Sequence, residues 1–224
     1  MMIRSILLGG LLVATSAAAA VAQDTTVVIA GDRAATAELS QIIDGARANG
    51  LPVRPIVAKV NYGLLMKAAT PRIIAAARGT AARLEEARKA LAPHPSELDV
   101  TAGESALSSK ISTKSLQDIR KASGNRPVAV PLGVLTQLVA NEVDESKATK
   151  IVVDLIRRSA TTDQLIALGN GVKEDVEAGT KPNLSAELRL HGLTAVLGVP
   201  SAASAAGDAL SAGASAPTVP KKKP

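Results

Sequence analysis

The chain has 224 residues, with no Cys, Trp or Phe, a single Tyr, and 26 Lys and Arg against 20 Asp and Glu. Zero cysteine excludes disulfides and thiolate metal sites, and the near absence of rings removes the stacking surface that single-stranded nucleic acid needs. The formal charge of +6 does not describe a basic domain, because Arg4 lies in the leader and Lys221, Lys222 and Lys223 close the chain, leaving the body near charge balance.

Residues 1–22 have the three-part design of a secretory signal peptide: Arg4, an apolar run from Ile6 to Val13, and a small-residue stretch ending Ala20-Val21-Ala22. The apolar run is shorter than the ~20 residues that span a bilayer, which argues against an uncleaved anchor. The mature protein is therefore expected to start near Gln23, exported to the periplasm or secreted. With no Cys, the leader cannot end in a lipidated cysteine. No later stretch reads as membrane-spanning.

Aromatic side chains normally bury ~150–250 Å² each, so burial must here be spread over Ala, Leu, Ile and Val. Helices accommodate that composition best, because Ala and Leu lose little entropy in them. The expected fold class is all-α: antiparallel helical hairpins packed as a multi-helix domain, either a compact bundle or a repeat-like solenoid.

In chain order, Thr25–Ala30 reads as a short strand or an extended lead. Ala34–Ala48 reads as a helix, and Pro52–Lys67 as a second, with Pro55 tolerable in its first turn. Pro71–Leu91 is the longest, with Ile74, Ala77, Ala81, Leu84, Ala87 and Leu91 on one stripe. Ala92-Pro93-His94-Pro95 breaks the pattern. This loop, 92–95, is the expected boundary between an N-terminal helical subdomain, 23–91, and a C-terminal one, 96–200.

Ser96 with Asp99 predicts a capped helix start. Helices follow at about 96–109 and 112–122, then a loop over Ser123–Pro127. Pro131–Ala140, Asp144–Arg158 and Thr161–Glu177 continue the pattern, the last unless Asn170-Gly171 interrupts it. Leu184–Leu197 has an ambiguous period and is taken as helix. Ser201–Pro224 is rich in Ala, Ser, Gly and Pro, which predicts a disordered tail with a lysine end.

A turn recurs between these helices: a polar or small stop, one small or apolar residue, then a helix-starting residue. It occurs around Leu51, Ala69, Ile111, Val143 and Ala160, with a weaker copy at Gly179-Thr180-Lys181-Pro182. The middle residue is expected to tuck between the joined helices. Ser, Thr and Asp then accept from the next helix's orphan amides, Pro71 suits a first helical position, and Thr161 with Gln164 fits a capping box. Such short links predict neighbours that fold back on each other.

No catalytic constellation is legible. His94 and His191 are far apart, and Asp144-Glu145 lacks the alternating ligands of a calcium loop. Gly103-Glu104-Ser105-Ala106-Leu107 lacks the second glycine of a nucleophile elbow. Glu85-Glu86 and Glu174-Asp175 are adjacent acids that diverge on a helix. Gly169-Asn170-Gly171-Val172 has neither a preceding strand nor a third glycine. Asn183-Leu184-Ser185 matches a glycosylation sequon of little specificity.

The expected function is accordingly a non-enzymatic helical scaffold of the bacterial cell envelope that binds another envelope protein, without cofactor, metal or nucleic acid. A chaperone-like stress protein, or an accessory enzyme acting on envelope polymers, is the alternative. The inter-helix turns are the candidate contact strip. Lys221, Lys222 and Lys223 offer a weak contact for an anionic surface, where each lysine adds ~1 kcal/mol before salt screening, or simply a solubilising end.

Overall fold

A computed structural model of the chain describes Ile29 and residues 31–197. The leader, the remainder of the 25–30 lead, the Ser201–Pro224 tail and its three lysines lie outside the described residues. Within them the fold is all-helical, with nine helices: α1 (Arg33–Ala48), α2 (Arg54–Leu65), α3 (Thr70–Ala90), α4 (Glu97–Ser108), α5 (Thr113–Ser123), α6 (Ala129–Ala140), α7 (Glu145–Arg157), α8 (Thr162–Glu177) and α9 (Pro182–Leu197).

The recurring turn is a helix stop of one kind. At six links a residue with positive φ follows the helix: Gly50, Lys67, Lys110, Glu142, Ser159 and Gly179. The next amide then bonds back to the carbonyl five residues earlier, as in Ile111 to Ala106 (3.1 Å), Val143 to Leu138 (3.1 Å) and Ala160 to Leu155 (2.9 Å). This is the Schellman arrangement, which satisfies carbonyls that the helix end leaves orphaned. The residue after the stop is the one that tucks in. Leu51, Ile111 and Val143 are buried, and Ala160 is half-buried.

The link between α2 and α3 corrects the sequence reading by one place. Ala68 packs against the core there, and Ala69 is the exposed cap residue. Thr70 opens α3, so Pro71 occupies its second position, where its missing donor still costs nothing.

The starts follow from capping chemistry. The Asp32 carboxylate accepts from the Ala35 amide at 2.9 Å. Ser96 with Asp99 and Thr161 with Gln164 form complete capping boxes at α4 and α8. Asp144 is an exception to the expected pattern: it precedes α7 without capping it, and is bonded instead to Asn183 at the start of α9.

The same turn does not always produce a hairpin. α2 folds back on α3, α6 on α7 and α8 on α9, but α4 and α5, and α7 and α8, meet only at a corner. As a result alternate helices stack. α4, α6 and α8 form one layer, and α3, α5, α7 and α9 form the other, with α2 and α1 packed onto α3. α3 and α4 pack against each other across the 92–95 loop, and the buried residues on both sides of it belong to one core.

That core is aliphatic, built on Leu39, Ile56, Leu84, Leu91, Leu116, Leu132, Leu135, Leu138, Leu155 and Leu168, all fully buried. Small residues let backbones approach where rings are missing. A Cβ on Gly103 of α4 would stand 2.8 Å from the Ala87 Cβ of α3, so a methyl group there would force the two helices apart. No described helix is long and apolar enough to cross a membrane.

Candidate functional site

Polar side chains at the helix starts tie each layer together. In the layer of α3, α5, α7 and α9, Thr113 at the start of α5 donates to Glu86 near the end of α3 (2.6 Å). The Ser112 amide and hydroxyl (2.9 and 2.6 Å) and the Ser115 hydroxyl (2.6 Å) all donate to Glu145 of α7. Burial pushes the Glu145 carboxyl up, but these donors outweigh it and hold its pKa below the usual value. The Asp144 backbone amide donates to the Asn183 side-chain Oδ1 at 3.0 Å, while the Asn183 Nδ2 returns a bond to the Asp144 carboxylate at 2.6 Å. Lys147 and Glu187 close the series at 2.5 Å.

In the layer of α4, α6 and α8 Asp99 joins two helix starts. It is 4% exposed. One carboxylate oxygen accepts from the Ser96 amide at the start of α4, at 3.2 Å. The other accepts from the Val128 and Ala129 amides that lead into α6, at 2.7 and 2.8 Å. α6 has no side-chain cap of its own, so an α4 residue caps it from outside.

Leu98, next to Asp99 in the chain, and Ala129, whose amide Asp99 accepts, both line a groove of about 460 Å³, within the ~300–1,000 Å³ typical of ligand sites. Its walls come from five helices or their links: Leu98 of α4, Ser123 of α5, Pro127, Ala129, Val130 and Pro131 at the start of α6, Ile156 and Ala160 at the end of α7, and Thr161, Thr162 and Leu165 at the start of α8. Leu98 is 73% exposed, although it is adjacent to the buried Asp99. Arg126 is the one charged residue in the lining. Its guanidinium donates to the Ser123 carbonyl (3.3 Å) and the Ile156 carbonyl (3.0 Å), and it has no ion pair among the described residues.

The groove also holds an unmet hydrogen bond. Ser123 is 5% exposed, and its hydroxyl is the only fully buried side-chain polar atom without a partner among the described residues. Buried hydroxyls are ordinarily bonded. The α8 capping box uses the amides of Thr161 and Gln164, leaving those of Thr162 and Asp163 as first-turn donors that it does not occupy.

A second cavity of about 400 Å³ lies between α2, α3 and α4, lined by Lys59, Tyr62, Thr80, Arg83 and Glu104 among others. Its one carboxylate is taken by one of its two cations, and the other stands over a ring. Arg83 and Glu104 pair at 2.8 Å, and the Lys59 ammonium stands 5.9 Å from the Tyr62 ring centre. Beside it the end of α2 exposes Tyr62, Leu65 and Met66.

The residues singled out in the sequence are dispersed. His94 is exposed at a positive φ in the 92–95 loop, and His191 is exposed on α9. Glu85 pairs with Lys89 at 2.7 Å, which lowers its pKa. Asp175 takes two bonds from Arg189 (2.8 and 2.6 Å) and one from Ser185 (2.6 Å), which hold its pKa at about 2 and raise that of Arg189. The sequon serine is thus fully buried in a structural bond, and Asn183 is committed to Asp144. Gly169-Asn170-Gly171-Val172 runs through the middle of α8 without breaking it. The two glycines leave room for Gln137 of α6 and Arg189 of α9. Among the described residues no three His, Cys, Asp or Glu side chains cluster as metal ligands would.

Of the expected contact strip, the link between α7 and α8 lines the groove. Leu98, Ser123 and Arg126 escaped the sequence reading. Their only signals are an apolar residue in a capped first turn and an arginine in a loop. No protein-family model, curated protein or solved structure matches the chain.

Proposed function

We propose that the chain is a non-enzymatic helical scaffold of the bacterial cell envelope that binds another protein through the groove at the ends of α4 to α8. The exposure of Leu98 beside an otherwise apolar groove carries this reading. A lone exposed leucine would mean little, but Leu98 shares the groove with the exposed Pro127 and the half-buried Ala129, Val130 and Ala160; a contiguous apolar surface of that kind marks protein contact sites, and stacked helices present such surfaces readily. The lining contributes a guanidinium and no carboxylate, which favours binding over the paired-acid chemistry of polymer hydrolysis.

Export belongs to the same reading and rests on the 1–22 leader. The mass of the mature protein tests it, with Gln23 expected as the first residue. For the scaffold itself, the immobilised full chain and its Leu98→Glu variant are exposed to envelope extract at native salt. A partner retained by the parent and lost from the variant is expected. Equal retention, or no specific partner, refutes the reading.

A chaperone-like role is the second reading. It is favoured by the separate patch of Tyr62, Leu65 and Met66, which are 57%, 78% and 61% exposed. Suppression of client aggregation that is lost on Leu65→Glu and kept on Leu98→Glu would select it.

A further inference from the structure

We infer that the groove binds the C-terminal end of a partner polypeptide, with the terminal carboxylate against Arg126 and the apolar side chains against Leu98 and the α6 and α8 starts. This deepens the scaffold reading and rests on it.

Three independent features converge on a ligand with one negative end and an apolar body. The lining carries a single charge, the Arg126 guanidinium, whose protein partners are neutral carbonyls. A guanidinium in that state keeps donors free for a carboxylate, which it binds with geometric specificity. The exposed acids nearest in sequence, Glu97 and Asp163, are not in the lining. The start of α8 faces the same groove, and its Thr162 and Asp163 amides are not used by the cap. Such amides and the helix dipole favour an anion.

The second kind of observation is Ser123. Its buried hydroxyl lacks a partner among the described residues and it lines the groove. The hydroxyl oxygen is closed to solvent, so it meets the terminal carboxylate or the last peptide group, as donor or acceptor, only after a side-chain rotation towards the groove. The remaining walls are Pro, Ala, Val, Ile and Leu, with two threonines, and they have no group to pair a basic or strongly polar side chain. Capture of a chain terminus by backbone donors is an established mode of peptide recognition. An internal segment made only of the apolar residues these walls accept has no negative charge to give Arg126, whereas a chain end of the same composition has one.

The test uses the full chain, immobilised, and two soluble pools of octapeptides with four randomised apolar positions at the C-terminus. One pool ends in a free carboxylate and the other in a carboxamide. The free-acid pool is expected to be retained at least tenfold more strongly. Arg126→Gln is expected to erase that preference and Arg126→Lys to keep part of it, with far-UV circular dichroism checking that each variant folds. Because Arg126 also bonds two carbonyls, Leu98→Glu provides an independent check. Leu98 is 73% exposed, so the substitution leaves the buried core in place and should weaken retention of both pools.

Equal retention of the acid and amide pools overturns the inference. If that retention still falls on Leu98→Glu, the scaffold reading survives without the carboxylate seat. If Leu98→Glu changes nothing, both fall. Retention of decanoate with neither peptide pool retained also overturns the inference and assigns the groove to a fatty acid.

Discussion

Asp99 joins the starts of α4 and α6, and its bond to the Ala129 amide spans 30 residues of sequence; its removal is the sharpest test of how the layer of α4, α6 and α8 is held. Asp99→Ala deletes the acceptor for the Val128 and Ala129 amides, and Val128 is fully buried, so water cannot replace the loss cheaply. Hydrogen bonds to a charged group contribute about 1.5–3 kcal/mol each, which places the loss at about 3–6 kcal/mol. Ser96 is exposed, so its amide recovers a bond from solvent and adds little. A whole domain is stable by only ~5–15 kcal/mol, so the variant should be severely weakened. Asp99→Asn keeps one oxygen for the two α6 amides but turns an NH₂ group towards the Ser96 amide and removes the charge between two helix N-termini. It should lose about 1–2 kcal/mol. Urea unfolding followed at 222 nm is the suitable assay, because the chain has no tryptophan. A loss under about 1 kcal/mol in Asp99→Ala, or equal losses in the two variants, would refute the idea that α4 caps α6.

The other expectations concern single features. Thr161→Ala should cost ~0.5–2 kcal/mol, since it removes half of the α8 capping box, and unchanged unfolding would contradict that cap. Glu142 is exposed at φ 64°. A left-handed non-glycine residue costs roughly 1–2 kcal/mol, against roughly 0.5–1 kcal/mol of extra chain entropy for glycine, so Glu142→Gly should stabilise by up to about 1 kcal/mol; a loss of stability would show the turn to be misassigned. Gly103→Ala should destabilise by ~1–3 kcal/mol through overpacking against Ala87, and a gain in the same urea assay would mean α3 and α4 are not in close contact. Glu145 and Asp175 both have carboxyl pKa values below their ordinary ones, Asp175 at about 2. Groups of that sign contribute stability above their unfolded pKa and lose it as pH falls through the folded one. Glu145→Gln and Asp175→Asn should therefore flatten the acid limb of the unfolding midpoint, from just above pH 4 downward, and an unchanged limb would show those bonds absent in solution.

What could be read from the sequence was decided within a few residues of itself. The Schellman stop at Lys110-Ile111 and the capping box at Thr161-Gln164 each involve one helix end and its next neighbours, so composition and spacing suffice to see them. Whether Asn170-Gly171 would interrupt the helix expected over Thr161–Glu177 could not be decided locally, because glycine's weakness in a helix is a local preference, whereas its use here is tertiary. Gly171 makes space for the Arg189 guanidinium, which crosses from α9 to hold Asp175. Asp144 failed as a cap for a similar reason: Asn183, 39 residues away, occupies its side chain.

The groove shows the same limit more strongly. The turn at Glu142-Val143 gives a hairpin and the turn at Ser159-Ala160 gives a corner, with the same backbone bonds. A turn of four residues fixes the end of one helix and the start of the next. Which neighbour the next helix then packs against is decided by where its aliphatic stripe points and what is already buried. Leu165, on the core side of α8, shares the groove lining with Leu98 and Pro131 because α4 and α8 both stack on α6. No spacing in the chain encodes that meeting of Leu98, Ser123, Arg126 and Thr162. It follows from the order in which stripes are covered, and the same order leaves Leu98 uncovered at the rim.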